Sequence, residues 1–470
     1  MDNSASASPP ADLASLRGRK VTLIGLGRRT HVALARFLIR QGAQVRVSES
    51  KPAAELALEL GLVRDLPLEL RLGGHHDEDV ADAEIVFVTP GAPRDLPVLL
   101  AARRRGISIS SEIELLFARC RAPIVGITGS AGKSTTTTLV GKMIAASGRT
   151  VSVGGNIGVP LIERVDAIQP DEWVVLELSS YQLEALRQSA RIGAILNVTP
   201  NHLDRHPTFE HYRDSKLNLV RYQHPGDVAV LGTDDPVAAS LAAQCPAEIR
   251  WFSGQRPVDR GAFLADLDLV VRDEAGDSVF GRADALKLPG WHNVLNVLAA
   301  ATIARAVGIA PATIGEVAAS FGGVEHRLEL VGELDGVRYY NDSIATSPER
   351  TVAALRSFER PVVLIAGGRS KHLPCDELAE AILQKTRAVV TMSELAEEIE
   401  DAVRRRDTRG AARIERADSL ADAVGRARRL ARPGDAIVLS PAGTSFDWFR
   451  DFEDRGQQFK SIVANLAVEG

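Results

Sequence analysis

The chain has 470 residues, of which 45% are hydrophobic and 25% charged, and its net charge is −5. This length predicts about three domains. The mild acidity argues against a protein that binds nucleic acid or an anionic membrane, because such proteins carry basic surfaces. The three cysteines are too few and too far apart for a disulfide framework, and the sequence has no apolar run long enough to span a membrane. We therefore expect a cytoplasmic protein whose partners are small molecules.

The N-terminal region begins with a segment rich in Ser, Ala and Pro, which predicts a disordered tail over residues 1–18. From Val21, the segments VTLIGLG, HVALARFLIRQG and AQVRVSES predict a strand, a helix and a second strand. The alternation continues downstream and predicts a doubly wound, Rossmann-like parallel sheet over residues 19–121.

The first turn of this region, Gly25-Leu26-Gly27, begins like a dinucleotide fingerprint, but the third glycine of that pattern would fall at Thr30. A nucleotide site and a simple packing turn both remain open here. Glu49 ends the next strand, where an acidic residue can bind a ribose hydroxyl.

Two more α/β regions follow in the sequence. Alternating strands and helices over residues 122–321 predict a central, P-loop ATPase-like parallel sheet that opens on the strand APIVGIT. A third α/β domain, again Rossmann-like, is predicted over residues 322–470 from the strands GVRYYNDS, RPVVLIAGG, RAVVTMS and DAIVLSPAG. We therefore predict an α/β protein of three domains.

The most informative motif is the segment GITGSAGKST (residues 126–135), which lies between a predicted strand and a predicted helix. Its glycines allow backbone N–H groups to surround phosphate oxygens, Lys133 adds a full charge, and Ser134 can bind Mg²⁺. The strict P-loop spacing would put a glycine at Ile127, so only the second half of that consensus is matched. The context favours a nucleotide phosphate site over a structural turn.

Two further candidates end strands of the same predicted sheet. Glu177 ends the strand of LELSS, and His202 and Asp204 follow the strand GAIL. Because the carboxyl ends of parallel strands meet at one edge, these groups are expected near the phosphate loop, where they suit Mg²⁺. The alternatives are a solvated glutamate and a structural histidine.

A family resemblance becomes visible when the motifs are taken together. The chain contains, in order, GITGSAGKSTTT, GGNIGVP, LELSSYQLE, ILNVTPNHLDRH, YRDSKLN, GWHNVLN, HRLE and NDSIATSPE. From about Val21 to Phe459 it resembles the Mur ligases. The segments GGNIG, ELSSYQLE and LSPAGTSFDWFRDFEDRGQQF most closely resemble the branch that adds glutamate to UDP-N-acetylmuramoyl-L-alanine.

This resemblance implies an ATP-dependent amide ligase that forms an acyl phosphate intermediate, and we expect the enzyme to be a monomer. Its domains would bind the UDP-sugar, ATP and the amino acid in that order. The family reaction develops negative charge on oxygen, so cations and backbone N–H groups are expected to carry the catalysis.

The resemblance also implies a role for each matching position. The implied catalytic residues are Lys133, His202 and Lys216. Two Mg²⁺ ions would be bound by Ser134, Glu177, His202 and Lys216, the last of these carbamylated. The ATP positions are Gly129, Ser130, Ala131, Gly132, Lys133, Ser134, Thr135, Asn293, Arg327 and Asp342. The UDP-sugar positions are Arg28, Arg29, Glu49, Ser50, Lys51, Thr89, Pro90, Gly91, Asn156, Ser179 and Gln182. The glutamate positions are Thr346, Lys371, Ser445, Phe446 and Phe452.

Some positions depart from the usual family pattern. Ala131 replaces an asparagine and Ile344 a lysine, while Arg28-Arg29-Thr30 replaces a less charged loop. The open alternatives are a ligase of this type that adds L-glutamate or another amino acid, a folylpolyglutamate-synthase-like enzyme, and a nucleotide-binding protein without catalysis. The segments ELSSYQLE and SFDWFRDFEDRG argue against the folate enzyme, and the retained lysines and Mg²⁺ ligands argue against lost catalysis.

Overall fold

The computed structural model describes residues 13, 15–27, 30–90, 92–202, 205–288, 290–371, 373–408, 410 and 412–469, with the backbone alone for 467–469. The chain divides into two compact units, Met1–Phe321 and Gly322–Gly470. The described residues form three large sheets, two in the first unit and one in the second. Each combines mainly parallel strands with helices, so the predicted α/β architecture is confirmed.

The first sheet consists of parallel strands. They are β1 (Lys20–Ile24), β2 (Gln44–Glu49), β3 (Glu69–Leu72), β4 (Ile85–Val88) and β5 (Ser108–Ser110). The accompanying helices are α1 (Thr30–Arg40), α2 (Ala57–Val63), α3 (Pro97–Arg104) and α4 (Glu112–Arg119). The strand order is β3-β2-β1-β4-β5, so the connections run to opposite sides of β1. Such a reversal leaves a crevice for ligands at the carboxyl ends of the strands.

The predicted N-terminal tail is only partly described. Residues 1–12 and 14 lie outside the described residues, whereas Leu13 and Leu16 are buried in a core cluster of the first unit. Burial of apolar side chains is favourable, so this part of the segment packs against the fold rather than remaining in solvent.

The second sheet is larger and contains the phosphate-loop segment. Its strands are β6 (Ile124–Thr128), β7 (Val151–Gly155), β8 (Trp173–Glu177), β9 (Ile192–Ile195), β10 (Val228–Gly232), β11 (Glu248–Ser253), β12 (Gly261–Ala265), β13 (Asp268–Asp273) and β14 (Gly276–Arg282). The order is β14-β13-β12-β11-β10-β9-β6-β8-β7. The sheet is parallel from β7 to β12, and β12, β13 and β14 form antiparallel pairs at one edge. The fully buried β6 lies between β8, which ends at the predicted metal ligand Glu177, and β9, which precedes His202 in the sequence.

The helices of this region are α5 (Lys133–Ala146), α6 (Ser180–Leu183), α7 (Phe209–Arg221), α8 (Pro236–Ser240), α9 (Trp291–Val307) and α10 (Pro311–Ser320). Most residues of α9 are buried, as expected for a helix that is apolar on nearly all sides. Its first turns therefore place Asn293 and Asn296 inside the fold.

The second unit contains the third sheet. Its strands are β15 (Glu329–Leu334), β16 (Val337–Asn341), β17 (Val362–Gly367), β18 (Thr386–Met392), β19 (Ile414–Ala417) and β20 (Ala436–Ala442). The order is β15-β16-β20-β17-β18-β19, and only β15 pairs antiparallel. The helices are α11 (Pro348–Arg356), α12 (Asp376–Lys385), α13 (Ala396–Arg406), α14 (Leu420–Leu430) and α15 (Phe452–Glu469). Every residue of β17 and β20 is buried, as is typical of central parallel strands.

Among the helices of the described residues, none combines the length and the apolar character that crossing a bilayer requires.

Candidate active site

The predicted phosphate loop connects β6 to α5. Gly132, the N-cap of α5, has φ of 84°, and a Cβ there would lie 2.3 Å from Oδ1 of Asn296. Lys133 Nζ donates to the carbonyls of Gly129 (2.9 Å) and Ser130 (3.2 Å). The loop thus combines a helix N-terminus with a lysine folded over it, which is an arrangement suited to phosphate.

The loop is clamped from the neighbouring strand β9. The N–H of Ala131 donates to Oδ1 of Asn197 (2.8 Å), and Nδ2 of Asn197 donates to the carbonyl of Ala131 (3.2 Å). The hydroxyl of Ser130 accepts from the N–H of Thr199 at 2.9 Å. The backbone of Ala131 is therefore fixed by Asn197, a residue that the sequence analysis did not single out.

Ser134 and Glu177, which were predicted to bind one Mg²⁺, are in direct contact. Ser134 Oγ donates to Oε2 of Glu177 at 2.6 Å, and Asn156 Nδ2 donates to Oε1 of Glu177 at 2.9 Å. The Glu177 side chain ends β8 and is buried. A buried carboxylate beside a hydroxyl supplies hard oxygen ligands, so these residues fit Mg²⁺.

Lys216 lies in α7 and is almost completely buried. Its Nζ donates to the carbonyl of Gly129 at 3.0 Å, the same oxygen that accepts from Lys133. Burial, and then the charge of Lys133, lower the pKa of Lys216 well below its ordinary value. Two ammonium groups at one carbonyl repel each other, so the neutral amine of Lys216 is favoured.

Tyr212 joins the predicted second metal site to the phosphate loop. Its hydroxyl lies 2.9 Å from Ser130 Oγ, and its ring lies 4.5 Å from Nζ of Lys216. The ring centroids of His202 and Tyr212 are 6.3 Å apart, and His202 is exposed with φ of 57°. The structure therefore brings His202 and Lys216 to one aromatic cluster.

The described residues contain no group of three or more His, Cys, Asp and Glu side chains arranged to bind a metal. The predicted ligands differ from such a group because they include the hydroxyl of Ser134 and the side chain of Lys216. Asp204 lies outside the described residues.

A cavity of about 220 Å³ opens beside the phosphate loop. It is lined by Leu196, Asn197, Gly232, Asp234, Asp235, Phe252, Leu295 and Asn296. Nδ2 of Asn296 donates to Oδ1 of Asn293 at 3.2 Å, so the predicted ATP residue Asn293 orients a cavity residue that the sequence analysis missed. Apolar walls with a few polar groups are typical of small-molecule pockets.

In the first sheet, Glu49 anchors two turns. Its Oε2 accepts from the N–H of Leu26 (2.7 Å), and its Oε1 accepts from Ser50 Oγ (3.0 Å) and the N–H of Lys51 (3.1 Å). Burial would raise the pKa of Glu49, but these hydrogen bonds outweigh it and lower the pKa below its ordinary value. The ionised carboxylate thus fixes the loops after β1 and β2.

Most of the other predicted UDP-sugar residues lie after β4, at the start of α6 or outside the described residues. Thr89 and Pro90 follow β4, whereas Arg28, Arg29 and Gly91 lie outside the described residues. Ser179 and Gln182 form a capping box at the start of α6, with the N–H of Ser179 donating to Oε1 of Gln182 at 3.0 Å. Helix capping is thus one established role of these two side chains.

In the second unit, Asp342 follows β16 and is buried. Its carboxylate accepts from Ser440 Oγ (2.7 Å) and from the N–H of Leu328 (3.2 Å). Burial raises the pKa of Asp342 to about 7, although these hydrogen bonds and the charge of Arg327 oppose the shift. A group that titrates near neutrality is typical of a functional site.

The predicted glutamate residues lie on loops at the carboxyl ends of adjacent strands. Thr346 follows β16, Lys371 follows β17, and Ser445 and Phe446 follow β20. Nζ of Lys371 lies 3.5 Å from Oγ1 of Thr346, which places these two predicted residues together. Phe452 begins α15, and its carbonyl accepts from Ser343 Oγ at 2.8 Å.

Family models of Mur ligase domains match three successive parts of the sequence. The MurD-like N-terminal domain matches residues 19–111, the Mur ligase middle domain residues 127–304, and the Mur ligase, glutamate ligase domain residues 326–443.

Relatives match almost the whole chain. The UDP-N-acetylmuramoylalanine–D-glutamate ligase of Symbiobacterium thermophilum is 44% identical over 452 residues, which cover 95% of this chain and 98% of the relative. The enzyme of the same name from Pelotomaculum thermopropionicum is 41% identical over 449 residues, with coverage of 95% and 98%.

Solved structures share the fold at lower identity. The UDP-N-acetylmuramate-alanine ligase MurC of Thermotoga maritima has a TM-score of 0.54 at 19% identity and covers 96% of this chain and 100% of its own. MurF of Acinetobacter baumannii has a TM-score of 0.53 at 16% identity, with coverage of 97% and 92%. These likenesses concern the fold alone.

Proposed function

The chain belongs to the Mur ligase family, and we propose that it adds D-glutamate to UDP-N-acetylmuramoyl-L-alanine with consumption of ATP, a step of peptidoglycan precursor synthesis. The observation that carries the proposal is the cluster of Lys133, Ser134, Glu177 and buried Lys216 around one phosphate loop. Relatives of 39% to 44% identity over nearly the full chain support the same activity.

We assign a substrate to each predicted domain. Residues 19–121 bind the UDP-sugar, residues 122–321 bind ATP, and residues 322–470 bind the amino acid. The crevice beside β1 supports the first assignment, and the clamped phosphate loop supports the second. We further propose that the enzyme is a cytoplasmic monomer.

In the proposed reaction, the substrate carboxylate attacks the γ-phosphate of ATP and forms an acyl phosphate with release of ADP. The amine of glutamate then attacks the acyl carbon, and phosphate leaves as the amide forms. Both steps develop negative charge on oxygen. We assign the stabilisation of that charge to Lys133 and the N–H groups at the start of α5.

We assign Ser134 and Glu177 to one Mg²⁺, and His202 with carbamylated Lys216 to a second. When bound, Mg²⁺ would neutralise phosphate charge. The short contact between Ser134 and Glu177 supports the first assignment. Tyr212, which contacts Lys216 and faces His202, supports the second.

The environment of Lys216 supports the proposed carbamylation, because it favours the neutral amine that reacts with CO₂. Its neutral amine attacks CO₂ and loses a proton, which leaves an anionic carbamate. The carbamate would bring a negative charge close to the ammonium group of Lys133, since both side chains reach the carbonyl of Gly129.

We also assign residues to the nucleoside of ATP and to glutamate. The cavity beside the loop is assigned to the nucleoside of ATP, with Asn293 acting through Asn296. Arg327 and Asp342 are assigned to phosphate and ribose, because a planar guanidinium suits phosphate. Lys371 and Thr346 are assigned to a glutamate carboxylate.

The test is phosphate release from ATP by the full-length protein with UDP-N-acetylmuramoyl-L-alanine and either D- or L-glutamate. We expect release that requires D-glutamate. Release with L-glutamate alone would favour the alternative ligase, and no release with either amino acid would refute the assignment.

A further inference from the structure

The first turn of α15 buries a guanidinium that none of the assigned sites uses. Arg455 is fully buried. Its Nε donates to Ser343 Oγ at 3.0 Å, and its Nη2 donates to the Ser343 carbonyl at 2.9 Å. Nη1 and Nη2 each donate to the carbonyl of Gly443 at 3.2 Å, and Nη1 lies 3.4 Å from that of Thr444. All of these acceptors are neutral oxygens.

Burying this cation costs the folded state free energy. Buried charges are normally paired, because the free energy of desolvation exceeds the stabilisation that hydrogen bonds to neutral groups provide. Burial lowers the pKa of the Arg455 guanidinium to about 10, and the charge of Asp447 opposes the shift. Arg455 therefore remains charged at neutral pH although its hydrogen bonds run to uncharged atoms.

The hydrogen bonds connect the loops that follow three adjacent strands. Ser343 belongs to the loop after β16, and Gly443 and Thr444 belong to the loop after β20. The loop after β17 joins them, because Arg369 and Thr444 exchange backbone hydrogen bonds of 2.8 and 3.1 Å. One side chain thus reaches all three loops, directly or through Thr444.

Gly368 shows how closely the guanidinium approaches the loop after β17. Its φ is 140°, and a Cβ there would lie 3.0 Å from Nη1 of Arg455 and 2.3 Å from the carbonyl of Thr444. A side chain at this position would displace either the guanidinium or the loop. The packing therefore depends on both residues together.

We propose that Arg455 is a positioning residue of the amino-acid site, holding the loops that carry Thr346, Lys371 and Ser445. The inference rests on the proposed function, because it takes these side chains to bind glutamate. Arg455 acts through the backbone and contacts no reacting atom. Loops fixed before binding lose less entropy when the amino acid binds, so Arg455 should act mainly on the KM for glutamate.

The test compares Arg455→Met, Arg455→Lys and Ser343→Ala in the full-length protein by steady-state phosphate release. Ser343→Ala removes the acceptor of Nε and also the hydrogen bond to Phe452, so it probes the same network with a small change. We expect the KM for glutamate to rise about 10- to 100-fold in Arg455→Met, and less in Arg455→Lys and Ser343→Ala. The kcat at saturating glutamate should stay within about threefold, and the KM for the UDP-sugar should not change.

Arg387→Met is the matched control. Arg387 makes hydrogen bonds of 2.6 and 3.1 Å to Asp435, at the amino ends of β18 and β20 and so at the opposite edge of the same sheet. This variant should lower the melting temperature without changing the KM for glutamate. A comparable rise of that KM in the control would mean that general destabilisation explains the effect and would overturn the proposal.

Hydrogen exchange supplies a readout that does not depend on activity. Amides of residues 343–346 and 442–446 should exchange faster in Arg455→Lys than in the wild type or in Arg387→Met. Wild-type KM for glutamate in both Arg455→Lys and Ser343→Ala, or an equal rise of the KM for all three substrates, would refute the positioning role. If the wild type releases no phosphate with glutamate, the proposed function fails instead, and the exchange rates alone decide whether Arg455 holds the loops.

Discussion

Replacing Asp342 by asparagine should stabilise the protein above neutral pH while weakening nucleotide binding. Burial raises the pKa of Asp342 from 3.8 to about 7. One pKa unit corresponds to about 1.4 kcal/mol, so burying the ionised carboxylate costs up to about 4 kcal/mol. Asparagine has nearly the same shape and carries no charge.

The sign of the pH dependence follows from proton uptake. Between about pH 4 and pH 7 the unfolded carboxyl is ionised, whereas the folded one keeps its proton, so wild-type stability falls as pH rises through this window. Asparagine can accept from the N–H of Leu328 and donate to Ser440, whose hydroxyl lies 3.1 Å from Oγ1 of Thr351. The stability advantage of Asp342→Asn should therefore grow with pH and level off above about pH 7.

Urea unfolding of the full-length protein between about pH 5 and pH 8 measures this difference. Trp448 is the only tryptophan in the sequence of residues 322–470, so its fluorescence reports on that unit when Trp173, Trp251 and Trp291 are replaced by phenylalanine in every protein compared. Asp435→Asn is the control, because Arg387 and neighbouring hydrogen bonds hold the pKa of Asp435 below its ordinary value despite burial. Its loss of stability should stay constant across this pH range, because the carboxyl is ionised in both the folded and the unfolded state there, and should shrink only below about pH 4. A pH-independent difference for Asp342→Asn would refute the reasoning.

The same carboxyl should also affect ATP binding. If ionised Asp342 accepts a ribose hydroxyl, the wild-type KM for ATP should fall as pH rises through about 7. Asp342→Asn should have a higher KM for ATP without this pH dependence. An unchanged KM for ATP would separate Asp342 from the nucleotide site.

Three further substitutions test the central site. Lys216→Ala should lower turnover at least about 100-fold and regain part of it with added acetate or formate, and undiminished phosphate release would exclude the carbamate role. Glu177→Gln should raise the Mg²⁺ concentration needed for half-maximal activity about tenfold or more, and an unchanged Mg²⁺ titration would remove it from the ligand set. Gly132→Ala should cost about 1–3 kcal/mol of unfolding free energy and weaken ATP binding, because its φ is 84° and the new Cβ meets Asn296. Wild-type melting and ATP affinity would show that the loop relaxes around the methyl group.

The phosphate loop was predictable because its signals are local. Residues 124–146 contain, in order, a buried strand, a glycine turn, a lysine and a helix. All the residues that form the loop therefore lie in one short stretch of sequence. Its clamp was not predictable in that way, since Asn197 is 66 residues from Ala131. The available signal was topological, because a polar side chain that ends a neighbouring parallel strand lies at the same edge of the sheet.

Elsewhere, strand pairing and hydrogen-bond partners could not be predicted from the sequence pattern. The segment containing β12, β13 and β14 forms antiparallel pairs, although the surrounding alternation favours parallel strands. Glu49 stays a predicted UDP-sugar residue, and the structure adds that both of its oxygens accept hydrogen bonds from loop groups. Spacing indicates where a carboxylate lies along the chain, but only packing determines which donors reach it.

Asp342 lies on the loop that Arg455 of α15 binds, and the two ionisable side chains have separate hydrogen-bond partners. Asp342 immediately precedes Ser343, to which Arg455 is bound, yet the carboxyl accepts from Ser440 and Leu328 while the guanidinium donates to neutral oxygens. Stability alone would favour pairing the two charges or replacing both by apolar groups. We expect such an arrangement where the two groups serve different substrates, Asp342 through the nucleotide and Arg455 through the loops of the amino-acid site. If that is the reason, Asp342→Asn should raise the KM for ATP and Arg455→Lys the KM for glutamate. Equal shifts of both constants in each variant would instead show that the two charges act as one site.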